Sequence, residues 1–215
     1  MNKWQIFSMA MTTPGTLYIV SAPSGAGKTS LVRALANTDP MVAISISHTT
    51  RLPRPGEQNG VDYHFVDDRT FQDMRERNVF LEYAEVFGNY YGTSGEWLME
   101  RVREGIDMIL EIDWQGARQV REIIPGCISI FILPPSRDTL MQRLRDRGQD
   151  DDAIIARRMQ DAKAELIHFD EFDYLIVNDD FERALSDLRV IVQAERLRQS
   201  RQAQNRQPLI TSLLG

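Results

Sequence analysis

Between a continuous apolar run, Thr16-Leu17-Tyr18-Ile19-Val20, and the start of a helical pattern lies Ala22-Pro23-Ser24-Gly25-Ala26-Gly27-Lys28-Thr29. This junction constrains the chain more than any other feature. An apolar run without polar alternation reads as a strand buried on both faces, the habit of parallel sheets covered by helices. Gly25 and Gly27 free the following turn of Cβ atoms, so backbone N–H groups can converge inward. A helix beginning near Lys28 adds the positive end of its dipole. The loop from Ser21 to Thr29 is therefore suited to cradling phosphates, with Lys28 reaching the terminal groups. The Thr29 hydroxyl is placed to ligate a Mg²⁺ ion that keeps most of its waters. Ala22 stands where the usual pattern opens with glycine.

The rhythm set by this junction continues. Apolar runs at Ile106–Ile112, Ile128–Leu133 and Tyr174–Val177 alternate with helix-like segments at Thr29–Asn37, Gln115–Ile124, Arg137–Arg147, Asp151–Phe169 and Phe181–Arg201. Strand-then-helix alternation predicts an α/β fold, a parallel sheet flanked by helices. Residues 47–94 break the pattern with a Pro- and Gly-punctuated loop, an alternating strand Val61–Val66, a short helix and a strand Val79–Phe87. They read as an inserted α+β subdomain. The expected division is a poorly ordered extension at 1–13 and a main domain at 14–195. Its core comprises 14–46, 95–135 and 170–195, with the insert at 47–94 and a helical lid at about 136–169. A helix end and tail follow at 196–215, where Glu195–Gln207 is expected to be a solvated, fraying helix face.

Composition narrows the function classes. The net charge of −6 disfavours nucleic acid and anionic membranes as partners while leaving room for a local basic pocket. No apolar stretch of roughly 18 residues is present to span a membrane. Cys127 is the single cysteine, which fits a reducing cytosol, and it sits in an apolar strand where burial is the expected role. His48, His64 and His168 lack metal-ligand spacing and read as packing or solvent-facing residues.

Several blocks resemble guanylate kinases, in that family's order, over about residues 16–195. They are the loop Ser21–Thr29, Ser47-His48-Thr49-Thr50-Arg51-Leu52-Pro53-Arg54-Pro55-Gly56-Glu57, and Gly88-Asn89-Tyr90-Tyr91-Gly92-Thr93. Ile112-Asp113-Trp114-Gln115-Gly116, Leu133-Pro134-Pro135-Ser136, Arg145-Asp146-Arg147-Gly148 and Ile176-Val177-Asn178-Asp179-Asp180 complete the set. The resemblance implies a P-loop kinase fold, a cytoplasmic enzyme, and transfer of the terminal phosphoryl group of ATP to GMP with Mg²⁺. It implies Glu82 as the carboxylate that reads guanine, with Ser47, Thr93 and Asp113 around it. The chemistry agrees, because guanine presents N1–H and N2–H₂ donors side by side and adenine has no such pair. Arg51, Arg54, Tyr63 and Tyr91 are implied for the GMP phosphate, with Glu57 supporting the arginines. Arg143, Arg147 and Arg158 are implied for the transferred phosphoryl group, and Arg143 and Arg147 lie one helical turn apart. Asn178 has two readings, contact with adenine or a strand-end cap.

Glu111 departs from the family, which usually has aspartate there and at the position of Asp113. The extra methylene shifts its carboxylate by roughly a bond length, which leaves its part in metal-water contact open. Two alternatives to the enzyme stay open at this level: a non-catalytic binding module of the same fold, and a kinase for a different nucleoside monophosphate. Self-association is left open as well.

Overall fold

The computed structural model describes residues 13–86, 88–146 and 152–215. Most of the expected N-terminal extension, and Arg147 of the lid, lie outside the described residues. Strand β1 (Leu17–Ser21) is buried throughout and leads through the glycine loop into α1 (Lys28–Thr38). After β2 (Val42–Ile44) come the insert strands β3 (His48–Thr49) and β4 (His64–Phe65), helix α2 (Asp68–Glu76), and strands β5 (Phe80–Val86) and β6 (Asn89–Ser94). The main domain resumes with α3 (Gly95–Arg103), β7 (Asp107–Glu111), α4 (Trp114–Ile123), β8 (Ile128–Leu133), α5 (Arg137–Asp146) and α6 (Asp152–Leu166). A 3₁₀ turn (Phe169–Glu171) precedes β9 (Tyr174–Val177), and α7 (Phe181–Arg196), α8 (Gln199–Asn205) and α9 (Gln207–Leu214) close the chain.

The main sheet is parallel, in the order β2-β7-β1-β8-β9. Successive side chains of a strand face opposite sides, so β1 feeds two cores. Tyr18 and Val20 pack with Leu31, Leu35, Leu185 and Leu188 of α1 and α7. Leu17 and Ile19 pack with Leu98, Val102, Ala117 and Val120 of α3 and α4. Burial on both faces explains the continuous apolar runs. Cys127 lies in the second core, its thiol pushed up by burial to about 11, and is chemically quiet.

The insert forms its own sheet, in the order β4-β3-β6-β5. Phe71 of α2 covers it, stacked on Phe80 and Tyr90 at 4.5 and 5.5 Å. The insert is pinned to the main domain at its edge. The Gln119 side chain on α4 accepts from Tyr83 N and donates to Tyr83 O, doing for β5 what a neighbouring strand would do.

Three expectations need correction. The strand expected at Val61–Val66 contracts to His64–Phe65, because residues 58–62 bond locally. Val61 and Asp62 both donate to the Gln58 carbonyl, and Gly60 takes a positive φ. The helix expected to run from Phe181 to Arg201 breaks at Leu197–Arg198, where Arg198 is extended (ψ 136°). The stretch expected to be solvated is exposed at 197–200 and 204–207 but is tied down at Glu195, Arg196 and Arg201. Glu195 is buried and accepts from Tyr174 Oη at 3.0 Å, while Arg201 donates to Thr16 and to the buried Asp107. A buried carboxylate needs cationic partners, and Arg196 and Arg201 supply them to Asp107.

Helices α5 and α6, in the region expected as a lid, pack on each other through Leu140, Leu144, Ile155, Met159 and Ala162. Helix α5 also leans on the glycine loop. A Cβ at Gly25 would lie 3.0 Å from Leu140 and 3.1 Å from Leu144. Among the described residues, no helix is long and apolar enough to cross a membrane.

Candidate active site

The glycine loop sits at the C-terminal end of β1, where parallel α/β sheets bind their ligands. Gly25 and Gly27 have φ of 96° and 94°, values that side-chain-bearing residues avoid. Ala26 N donates to Pro23 O, which closes the turn, and α1 starts at Lys28 with its first N–H groups directed at the loop. The loop is braced from behind. Asn178 Nδ2 donates to Ala26 O at 2.7 Å, and Arg143 donates to Ala26 O and Asn178 O at 3.4 and 3.0 Å. A Cβ on Gly27 would lie 2.3 Å from Asn178 Nδ2, so glycine is required there twice over.

Two strand ends adjoin the loop. Glu111 closes β7 and accepts from the Thr29 hydroxyl at 2.8 Å. Asp113 caps α4, accepting from Gly116 N at 2.8 Å. Opposite them stands the insert. Glu82 on β5 pairs with Thr93 on β6 and is only 3% exposed. Burial pushes its carboxyl up to about 7; hydrogen bonds from Thr93 pull down, and the charge of Asp113 adds to the rise. Its carboxylate packs on the bare side of Gly116. The Ser47 and Thr93 hydroxyls lie 3.1 Å apart. In the loop before β4, Glu57 clamps both neighbours, accepting from Arg51 Nη2 at 2.8 Å and Arg54 N at 2.7 Å. The Arg51 guanidinium lies 5.3 Å from the Tyr63 ring centre, and Tyr63 meets Tyr91 edge-on at 6.0 Å.

One cavity of about 250 Å³ joins these parts, lined by Lys28 and Thr29 at one end and by Glu82, Ser47 and Tyr91 at the other. The glycine loop and the buried Glu82 carboxylate thus share one cleft. A profile of the family described as guanylate kinase matches residues 14–195. The chain belongs to the guanylate kinase family. It is 58% identical over 205 residues to the guanylate kinase of Saccharophagus degradans, covering 95% of this chain and all of that protein. The guanylate kinase of Nitrosococcus oceani is 59% identical over 200 residues, covering 93% and 98%. The crystal structure of guanylate kinase from Anaplasma phagocytophilum aligns with a TM-score of 0.75 at 33% identity, covering 88% of this chain and 90% of that one. The parallel sheet flanked by helices expected from the strand and helix alternation, and the P-loop kinase fold implied by the resemblance, match the fold of this guanylate kinase relative.

Against the sequence expectations for a guanylate kinase, the cavity gathers Ala22, Pro23, Ser24, Gly25, Gly27, Lys28 and Thr29 from the loop. Across from them it gathers Ser47, Arg54, Tyr63, Glu82 and Tyr91, with Glu111 and Asp113 between. Ser21, Ala26 and Thr93 are buried behind the cavity wall. Arg51 and Glu57 stand one layer back, bonded to each other. Asn178, also buried, uses its amide to hold the loop, a role that neither the adenine contact nor the strand-end cap anticipates. Arg143 likewise faces the loop carbonyls, and Arg158 lies on α6.

Two residues at the site went unassigned in the sequence reading. In sequence Gly116 is only one member of the Ile112–Gly116 block, and no spacing rule marks it as the floor under Glu82. Glu165 lines the cavity from α6, and in sequence it is one acid among many on a charged helix. The histidines are packing residues. His48 stacks on His64 at 4.7 Å with burial pushing it down to about 4, and His168 stacks on Trp114 at 3.7 Å. Among the described residues, no group of three His, Cys, Asp or Glu side chains is placed to hold a metal ion.

Proposed function

We infer that this chain transfers the terminal phosphoryl group of ATP to GMP, giving ADP and GDP. The observation that carries the inference is the single cleft with Lys28 at one end and the buried Glu82 at the other. Phosphoryl transfer depends on alignment and charge neutralisation, so two nucleotides must meet head to head. The donor's phosphates lie against the inward N–H groups of residues 22–29, with Lys28 on the terminal pair. Asn178 and Arg143 keep that loop in shape by holding the Ala26 carbonyl.

The acceptor lies across the cleft. Glu82 accepts N1–H and N2–H₂ of guanine, with Ser47, Thr93 and Asp113 completing the pocket. Adenine would leave a buried carboxylate unpaired, and sites of this kind reject the wrong partner strongly. Arg54, Arg51, Tyr63 and Tyr91 receive the GMP phosphate, with Glu57 holding both arginines in place. Arg158, on α6, completes the cationic surround of the moving group when the helices α5 and α6 close over the cleft.

Thr29 and Glu111 fit a Mg²⁺ ion. They are hard oxygen donors bonded to each other at 2.8 Å beside the phosphate loop, and Mg²⁺ takes few protein ligands and retains water. When bound, the ion neutralises phosphate charge. The longer Glu111 side chain reaches the Thr29 hydroxyl, so the extra methylene does not remove it from this corner.

A coupled assay of ADP formation tests the reading. Turnover is expected with ATP and GMP, and little with AMP, CMP or UMP as acceptor. Lys28→Ala should lower kcat by roughly 10²–10³-fold, the scale of losing one principal electrostatic contact to the transferring group. Absence of turnover with every acceptor would overturn the assignment.

A further inference from the structure

Strand β5, which carries Glu82, is the outer member of the insert sheet. The free side of an edge strand presents N–H and C=O groups that no neighbouring strand can meet. At Tyr83, the residue after Glu82, a side chain meets them. Gln119 Oε1 accepts from Tyr83 N at 3.2 Å, and Gln119 Nε2 donates to Tyr83 O at 2.8 Å. Both bonds go to backbone, so they hold the strand itself; the Tyr83 side chain is exposed.

Gln119 belongs to a series along α4 and its cap. Asp113 caps the helix and lines the cavity, Gly116 lies under the Glu82 carboxylate, and Gln119 grips the next residue of β5. Residues three apart are neighbours on a helix surface, so one face of α4 addresses the acceptor end of the cleft. On the other side of Glu82, Leu81 is buried in the main-domain core that includes Leu98 and Val102. Glu82 therefore sits on an insert strand whose two flanking residues are both fastened to the main domain.

We propose that Gln119 is a positioning residue for guanine recognition: it sets β5 against α4 so that Glu82 presents both carboxylate oxygens to N1–H and N2–H₂ of the base. The proposal deepens the GMP reading given above and rests on it. Reading two adjacent donors at once demands alignment to about half an ångström, whereas a single hydrogen bond tolerates more. Gly116 limits how deep the carboxylate sits, and sliding or tilting of β5 is the freedom that remains. Two bonds to one residue of the strand resist both motions. An apolar side chain at 119 would leave Tyr83 N and O to water, at small cost to folding because both bonds are exposed. Loss of the clamp loosens the reader without unfolding the chain.

Steady-state rates of the full chain and its Gln119→Met variant, with GMP and with IMP as acceptor, test this. IMP keeps N1–H and O6 of guanine and lacks the N2 amino group, so the GMP-over-IMP ratio of kcat/KM reports the second hydrogen bond. Methionine matches glutamine in length and has no amide. The variant should raise KM for GMP about ten-fold, the scale of a sub-ångström misplacement in an aligned site. The ratio should fall about five-fold, part of what a hydrogen bond to a charged group supplies. KM for ATP should stay unchanged. A smaller folded fraction would lower kcat for both acceptors together and leave the ratio alone. Gln119→Glu, which sets a carboxylate oxygen against Tyr83 O, should show the same losses. An unchanged KM for GMP, or equal losses with the two acceptors, would overturn the proposal. If the wild type turned over neither acceptor, the GMP assignment would fall, and this proposal with it.

Discussion

The carboxylate of Glu82 packs on the bare face of Gly116: a Cβ added at Gly116 would lie 2.6 Å from Glu82 Oε2. Gly116 belongs to helix α4, where alanine is favoured over glycine by about 1 kcal/mol. Propensity alone would thus make Gly116→Ala stabilising. The added methyl instead forces Glu82 out of its seat. The expected outcome is a rise in KM for GMP of roughly ten-fold or more, since displacement of about an ångström is costly in an aligned site. KM for ATP should hardly move. Steady-state kinetics varying each nucleotide in turn checks this, and an unchanged KM for GMP would show that the floor under Glu82 is not restrictive.

A second expectation concerns pH. Only ionised Glu82 accepts two hydrogen bonds from guanine, and burial holds its carboxyl at about 7. As pH falls through that value, KM for GMP should rise, by about ten-fold for each unit below it. Glu82→Gln should flatten the profile at a high KM. The same shift acts on stability in the opposite direction. A folded-state value raised above 4.5 means that Glu82 stabilises the empty protein fully below about 4.5 and loses that contribution as pH rises through about 7. Between pH 5 and 8 the melting temperature of Glu82→Gln should therefore climb relative to wild type. Parallel melting curves across that window would contradict the shift.

The third expectation lies at the far end of β7. Asp107 is 1% exposed at its side chain and accepts from Thr16 N, Arg196 Nε and Arg201. Replacing it with alanine deprives two arginines of an acceptor, each with a buried nitrogen already lacking a partner, Arg196 Nη2 and Arg201 Nε. Removing one side of a buried ion pair costs about 3–5 kcal/mol. For a chain of this size that corresponds to a fall in melting temperature of roughly 6–20 °C. Because Asp107 begins the strand that Glu111 ends, about 13 Å away along the chain, both KM values should stay near wild type below the melting range. Differential scanning calorimetry paired with kinetics separates the two effects.

Much of the fold was legible because it rests on local pattern. The runs at Leu17–Ser21 and Ile128–Leu133 are apolar on both faces, and only a strand covered on both sides accepts that. Elements that borrow their order from neighbours were harder to read. Val42–Ile44 and His48–Thr49 are too short to show a period, and they are strands because β7 and β6 offer hydrogen bonds. Residues 61–66 alternate like a strand, yet the chain turns over 58–62, because the Gln58 carbonyl and Asp62 carboxylate capture the local N–H groups. Arg201 lies in a segment that reads as a solvated face, and it docks because a buried acid, Asp107, waits across the fold.

By itself the amino-acid sequence determined the parallel sheet and the phosphate loop with glycines at 25 and 27, since each depends on neighbours within a few positions; the residues across the cleft were legible only through the family resemblance. The tertiary structure alone decided that Glu82 is buried on Gly116, that Asn178 and Arg143 grip the loop from behind, and that Glu165 lines the same cavity as Lys28. The reason is physical: burial, desolvation and charge–charge contact are properties of surfaces brought together by folding, and distance along the chain carries no record of them.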